Sequence, residues 1–366
     1  MLKLEYMNYD FRRNKIVSKL KRDGVDSFLT THQVNLHYLC PSFKGEGVLL
    51  VTKDMTFLLV DSRYTEQAKV ELNGEKGIEV METKKSLLFT LSRLLAQSGI
   101  KSVAVEGEHI TYDFFERIKK EFKEATIHSV KGWVENLRII KDEGEIASIR
   151  RACNIVDKVV ETLRKDIKWG MKETELANEL EYRLKKEGSG ELPFRPIAAG
   201  GRRASFPHAQ PTDKPLREGE LVIIDCGASC NGYCSDLTRT IGQNIMDEEK
   251  KRIYSLVLEV QQAAIDSIKP GIQTSDLCKL VREMFFEEDV VQFFIHGLGH
   301  GVGLEVHEAP PLSSHGSVKL KEGMVITIEP GLYIPDKFGV RIEDMVLVTS
   351  GGCEILTSSF KECYGN

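Results

Sequence analysis

The 366-residue chain has no apolar run approaching the ~20 residues that a membrane-spanning helix needs. Its longest apolar stretches, such as Val48–Val51, Phe57–Val60 and Leu221–Ile224, have the length of strands. The first 21 residues are charged throughout and lack the apolar segment of a secretory signal. An excess of positive charge is also missing: 50 Lys and Arg against 55 Asp and Glu leave a net charge of −5, which gives no footing for a nucleic-acid partner. Eight cysteines are too sparse at this length for a disulfide scaffold. These absences lead us to expect a cytoplasmic protein with no membrane or nucleic-acid partner. What is present suits a folded globular chain: 41% hydrophobic residues provide a sizeable core, and the length suggests two domains.

The first part alternates element types. Helical patterns cover 11–22, 86–97 and 112–122, and strand patterns cover 25–30, 47–51, 56–61, 102–106 and 126–130. This predicts a mixed α/β domain over residues 1–132, in which no chemical constellation stands out. Residues 132–141 form the expected boundary, and a second domain spans 142–366. It opens with a long helix whose apolar positions Ile146, Ile149, Cys153, Val156, Val160, Leu163 and Ile167 recur in steps of three and four, tracing one face.

The second domain contains an internal repeat. Ile167-Lys168-Trp169-Gly170 precedes a helix carrying Leu176, Leu180 and Leu184, and 101 residues later Ile268-Lys269-Pro270-Gly271 precedes one carrying Leu277, Val281 and Phe285. Leu216 to Asp225 matches Leu320 to Glu329, 104 residues on, and His208-Ala209-Gln210-Pro211 parallels His307-Glu308-Ala309-Pro310. Two similar α/β halves should pack about a pseudo-two-fold axis.

Each half places acids on apolar strands. Asp225 lies in the run 221–228, where an unpaired carboxylate is costly to bury. Asn231-Gly232 reads as a tight hairpin turn, which sets Asp225 opposite Thr238 and diagonal to Asp236. In the second half, 324–328 leads into Glu329, and the apolar strand 340–348 carries Glu343. A pseudo-two-fold axis would bring all four acids together, and such a cluster calls for bound divalent metal. Separate pairing with bases such as Arg239 or Arg341 would explain one acid but not four in register. The glycine-alternating stretch from His296 to Glu308 is extended rather than helical and holds three of the chain's nine histidines, at 296, 300 and 307. At least one is expected to be a metal ligand. Cys226, Cys230 and Cys234 do not share one face of the hairpin and are expected in the core. Trp169 and Tyr333 are expected to be packing residues.

At these motifs the sequence resembles the pita-bread metallopeptidases, in the Xaa-Pro branch of aminopeptidase P and prolidase. The resemblance rests on Phe206-Pro207-His208-Ala209, Val222 to Ala228, Tyr233 to Thr240, His296 to Glu308, Ile328-Glu329-Pro330-Gly331 and Val340 to Asp344. Asp61 to Ala68 looks like the creatinase-type N-terminal domain. The resemblance implies an α/β (α+β) architecture, with a creatinase-like domain ahead of a pseudo-two-fold catalytic domain. It implies Asp225, Asp236, His300, Glu329 and Glu343 as ligands of two divalent ions that activate water for attack on the scissile carbonyl. A carboxylate-rich set with one histidine suits Mn²⁺ or Co²⁺, with Zn²⁺ or Fe²⁺ also accommodated. Glu329, His208 and His307 would be catalytic, and His208, His296, His307 and Arg341 would contact substrate. The implied partners are short proline-containing peptides and a second copy of the chain in a homodimer. The basic loop Gly200-Gly201-Arg202-Arg203 departs from the family pattern and bears on the choice of the residue before proline. The competing readings are a methionine-type aminopeptidase, a metal-free creatinase-like hydrolase and a non-catalytic binding module on the same fold.

Overall fold

The computed structural model describes residues 7–40, 43–242 and 247–363. It divides into two compact units, one of residues Met7–Arg138 and one beginning at Ile139.

In the first unit the apolar runs become a six-stranded sheet. Its order is Ile78–Glu82, Thr56–Val60, Val48–Thr52, Ser27–Thr30, Ser102–Glu106 and Thr126–Val130. The two strands joined by the 52–55 turn pair antiparallel, with Val48 opposite Leu59. Helices Tyr9–Asp23, Leu87–Gln97 and Tyr112–Glu121 lie where their apolar periodicity predicts, the last two capped by the hydroxyls of Ser86 and Thr111. The sequence pattern misses helices Gln33–Leu39 and Thr65–Glu71 and the edge strand Ile78–Glu82. That strand has no fully buried residue, so it carries no apolar run.

In the second unit the long helix runs Glu143–Asp166. Asp142 accepts from the Glu145 N–H, while the Glu145 carboxylate accepts from the Asp142 N–H. The expected repeat is present bond for bond. Gly170 N donates to Leu216 O and Leu216 N to Met171 O; in the other half Gly271 N donates to Leu320 O and Leu320 N to Ile272 O. The bridge Lys172–Pro215 has its counterpart in Gln273–Lys319. Helix pair Glu143–Asp166 and Glu173–Lys186 buries Val156, Val160, Leu176 and Leu180 against Val222 and Ile224. Helix pair Glu248–Asp266 and Thr274–Glu287 buries Val257, Val260, Leu277 and Val281 against Ile326 and Ile328.

The first half has a three-stranded sheet ordered Leu237–Ile241, Val222–Cys226, Ile197–Gly200; the second has a five-stranded sheet with Val325–Ile328 at its centre. One expected strand is corrected. Residues 340–348 are not continuous: Phe338–Arg341 pairs with Gly331–Ile334, whereas Asp344–Val348 pairs with Val325–Ile328. Glu343 sits at the break, and its N–H donates to the Thr238 carbonyl of the other half at 3.1 Å. The halves are stitched there a second time, where Thr240 Oγ1 donates to Arg341 O and accepts from Arg341 N. The acids therefore emerge at the seam between the two halves.

Candidate metal centre

The hairpin forms in the expected register. Asn231 and Gly232 both adopt positive φ, and Asp225 faces Thr238. Thr238 Oγ1 donates to Glu343 Oε2 at 2.7 Å, tying the first half's strand to the second half's acid. Ligand atoms of Asp236, His300 and Glu343 lie within 4.8 Å of one another. His300 Nε2 stands 3.2 Å from Glu329 Oε1 and 3.7 Å from Asp236 Oδ2. His300 Nδ1 donates to the Gly301 carbonyl at 3.1 Å, which turns Nε2 toward the acids. The alternating glycines have a steric cause here. A Cβ on Gly299 would come within 2.1 Å of Thr327 O, and one on Gly301 within 2.2 Å of Ala309 O. The strand Gly299–Gly301 thus fits between its neighbours only without side chains at those two positions, and His300 alone projects into the site.

Asp225, Asp236, His208, His296, His300, His307, Glu329, Arg341 and Glu343 line one cleft of about 410 Å³, so every expected site residue is brought to it. Its size suits a small ligand. Burial pushes the carboxyls of Asp236 and Glu343 well above the usual range, and the charges of the neighbouring acids push them further. Asp225 is also raised by burial, against the opposing charge of Arg341. Burial would raise Glu329 as well, but its bond to His300, with the charges of His300, His296 and Arg341, holds it low. Four carboxylates in one buried place thus oppose one another's ionisation unless a cation joins them. Arg341 Nη2 donates to Asp225 Oδ2 at 2.6 Å, yet Asp225 Oδ1 is buried with no hydrogen-bond partner. That orphaned oxygen, the carboxylate-rich donor set and the His300 nitrogen turned toward Glu329 and Asp236 fit a divalent metal.

Tyr333 is not the simple packing residue that the sequence suggests. Its hydroxyl accepts from Arg341 Nη1 at 2.8 Å and lies 2.9 Å from His296 Nε2. Because His296 Nδ1 donates to the Gly297 carbonyl at 2.7 Å, Nε2 is the acceptor of the Tyr333 proton. Burial pushes the Tyr333 hydroxyl up to about 12 and lowers His296, so this relay carries no net charge of its own beyond the arginine. His307 sets its ring edge-on to His300 with centroids 4.2 Å apart. Next to it, Glu308 is held by a buried ion pair with Lys141 at 2.7 Å. Arg239, considered above as a partner for the site acids, pairs instead with Asp344. Cys226, Cys230 and Cys234 do not line the cleft.

A second group of potential ligands, His32, His109 and Glu135, occurs in the first unit. Its imidazoles stack with centroids 3.8 Å apart and planes within 2° of parallel. Their in-plane lone pairs therefore run side by side instead of converging, and His109 Nε2 is engaged by Glu135 at 2.8 Å. No sequence motif marks this group, because the two histidines are far apart in the chain.

Comparisons with known proteins match both parts of the chain. Residues 147–350 match the model of metallopeptidase family M24, and residues 12–140 match the creatinase/prolidase N-terminal domain. The chain is 40% identical to the Xaa-Pro dipeptidase of Pyrococcus horikoshii, over 95% of this chain and 97% of that protein. Its fold superposes on an Xaa-Pro dipeptidase structure from Bacillus anthracis with a TM-score of 0.93 and 34% identity, covering 98% of this chain and 99% of that one. An X-Pro aminopeptidase structure from Thermotoga maritima gives a TM-score of 0.88 at 35% identity, covering 94% and 99%.

Proposed function

Since the chain belongs to metallopeptidase family M24 and carries a creatinase/prolidase N-terminal domain, we propose that it hydrolyses the peptide bond between an N-terminal residue and a following proline, with divalent metal as cofactor. The observation that carries this reading is the meeting of four carboxylates, of which Asp236 and Glu343 are buried, and one imidazole, drawn from both halves of the second unit, in a single cleft. Asp225, Asp236, His300, Glu329 and Glu343 would hold two divalent ions. When bound, the ions would activate water and stabilise negative charge developing on the scissile carbonyl oxygen.

The chain's own residues supply the rest. Glu329 is held ionised by His300 and can take a proton and pass it to the leaving proline nitrogen. His208 and His307 line the cleft and would donate to the carbonyl or to the intermediate it becomes. Burial lowers the His296 imidazole, and the Tyr333 hydroxyl donates to its Nε2 and fixes the ring at the cleft wall. Arg341 binds Asp225, Thr238, Tyr333 and the Pro207 carbonyl at once, and so fixes the acid cluster against the relay.

Manganese or cobalt would fill the site, and the chain would act as a homodimer in the cytoplasm on short proline-containing peptides. No helix of the described residues is long and apolar enough to cross a membrane. The intact ligand set speaks against a non-catalytic binding module and a metal-free creatinase-like hydrolase. The N-terminal domain speaks against a methionine aminopeptidase. The test is a panel of Ala-Pro, Ala-Pro-Ala-Ala, Met-Ala-Ser and creatine offered to the Mn²⁺-loaded protein. Release of alanine from the proline peptides alone supports the reading. Cleavage confined to Met-Ala-Ser, or loss of creatine, contradicts it.

A further inference from the structure

We propose that Arg195 binds a carboxylate of the substrate, either the C-terminal carboxylate of a dipeptide or an acidic side chain on its N-terminal residue. This rests on the proposed function above.

Among the described residues, the cleft is lined by four acids and only two guanidinium groups, Arg341 and Arg195. Arg341 is fully engaged. Its Nε donates to Thr238 Oγ1 at 3.0 Å, Nη1 to Pro207 O at 3.1 Å and Tyr333 OH at 2.8 Å, and Nη2 to Asp225 Oδ2 at 2.6 Å. It is buried, and turning it to a ligand would strand Asp225 without a counter-charge. The basic loop that the sequence singled out is engaged as well. Arg202 pairs with Asp336, and Arg203 pairs with Glu173 and donates to the Gln210 carbonyl. Neither residue lines the cleft.

Arg195 differs from all three. It lines the cleft and is exposed, and among the described residues it has no hydrogen bond or ion pair. Its backbone is stiffened on both sides. Pro193 and Pro196 bracket it, and the residue before a proline is held to extended backbone. Phe194 and Ile197 line the same cleft on either side of it, and Ile197 begins a sheet strand. The guanidinium is therefore presented from a restrained segment, so less ordering remains to be done on binding. A substrate carboxylate entering beside Asp225, Asp236, Glu329 and Glu343 meets repulsion from any of these that the cofactor leaves uncompensated. The planar fork of an arginine answers it with paired, charge-assisted hydrogen bonds.

The experiment uses the full-length, metal-loaded chain as wild type, Arg195→Gln and Arg195→Glu, with metal content and circular dichroism checked for each. Two ratios of kcat/KM are measured: Ala-Pro over Ala-Pro-NH₂, and Glu-Pro-NH₂ over Gln-Pro-NH₂. Loss of one charge-assisted contact corresponds to about a tenfold change. A fall of about tenfold in the first ratio for Arg195→Gln, and a larger fall for Arg195→Glu, assigns Arg195 to the C-terminal carboxylate. The same falls in the second ratio assign it to an acidic first residue. If both ratios stay within twofold of wild type in both variants, the proposal is overturned. Calorimetric Kd values for the same four peptides in a Glu329→Gln background give the ratios without cleavage. A wild-type chain that cleaves none of the peptides would therefore refute the proposed function, while the Kd ratios still decide the role of Arg195.

Discussion

Arg341 Nη2 lies 2.6 Å from Asp225 Oδ2, while that carboxylate's other oxygen is buried with no hydrogen-bond partner. One oxygen of Asp225 is thus tied to a fixed cation and the other is left without a partner. A residue that served structure alone would gain from having both oxygens satisfied. The arrangement instead orients the carboxylate and keeps one oxygen available for a ligand.

Replacing Arg341 by methionine removes the buried cation and leaves Asp225 uncompensated. Breaking a buried pair from one side costs about 3–5 kcal/mol. Urea denaturation should show Arg341→Met less stable than wild type by that order, and turnover of Ala-Pro should fall at least 100-fold. An unchanged denaturation midpoint would mean that the pair does not hold this seam together.

Metal should bind in exchange for protons. Asp236 and Glu343 are pushed up by burial and by neighbouring acids, so the metal-free cluster retains protons that a divalent ion displaces. Adding Mn²⁺ to the chelator-stripped protein in weak buffer should acidify the solution, and affinity should rise with pH. At about 100 times Kd the ion should stabilise the fold by about 2.7 kcal/mol, seen as a higher Tm. Binding with no proton release would show that the acids are already ionised together.

The first unit has its own buried acid. Glu106 is pushed up to about 7, chiefly by burial, and accepts from Asn35 Nδ2 at 2.6 Å. Its ordinary value is about 4.3, so between those values the unfolded chain gives up a proton that the folded chain keeps. The stability contributed by neutral Glu106 is present below about pH 4 and is lost as pH rises through 7. Glu106→Gln keeps the acceptor and removes the titration. It should be more stable than wild type at pH 8, by about 3–4 kcal/mol, with the gap narrowing to about 1 kcal/mol at pH 5. Denaturation curves at the two pH values test this, and a constant gap would contradict it.

Much of the site was legible because its signals are local. Asn231-Gly232 sets a hairpin register by turn chemistry alone, and that register put Asp225 opposite Thr238, where it is found. The repeat could be read because the same turn-helix-turn-strand order recurs, and its hydrogen bonds recur with it. What stayed hidden depends on distant partners. Tyr333 sits in the apolar strand Gly331–Ile334, and only its contacts with His296 and Arg341 reveal its hydroxyl's role. The break before Asp344 is invisible in a continuous apolar run, because it arises from two different strand partners. Arg195 has no periodicity to mark it and stands out only when every other arginine near the cleft is found engaged.

The metal centre is tested most directly by titrating Ala-Pro turnover with Mn²⁺ in chelator-stripped wild type and in Asp236→Ala, counting metal bound per chain. Activity in wild type should rise with metal and saturate at two bound ions per chain, and Asp236→Ala should bind fewer and stay inactive at any concentration. Wild-type turnover in the stripped protein, or full activity in Asp236→Ala, would contradict a metal centre built on these carboxylates.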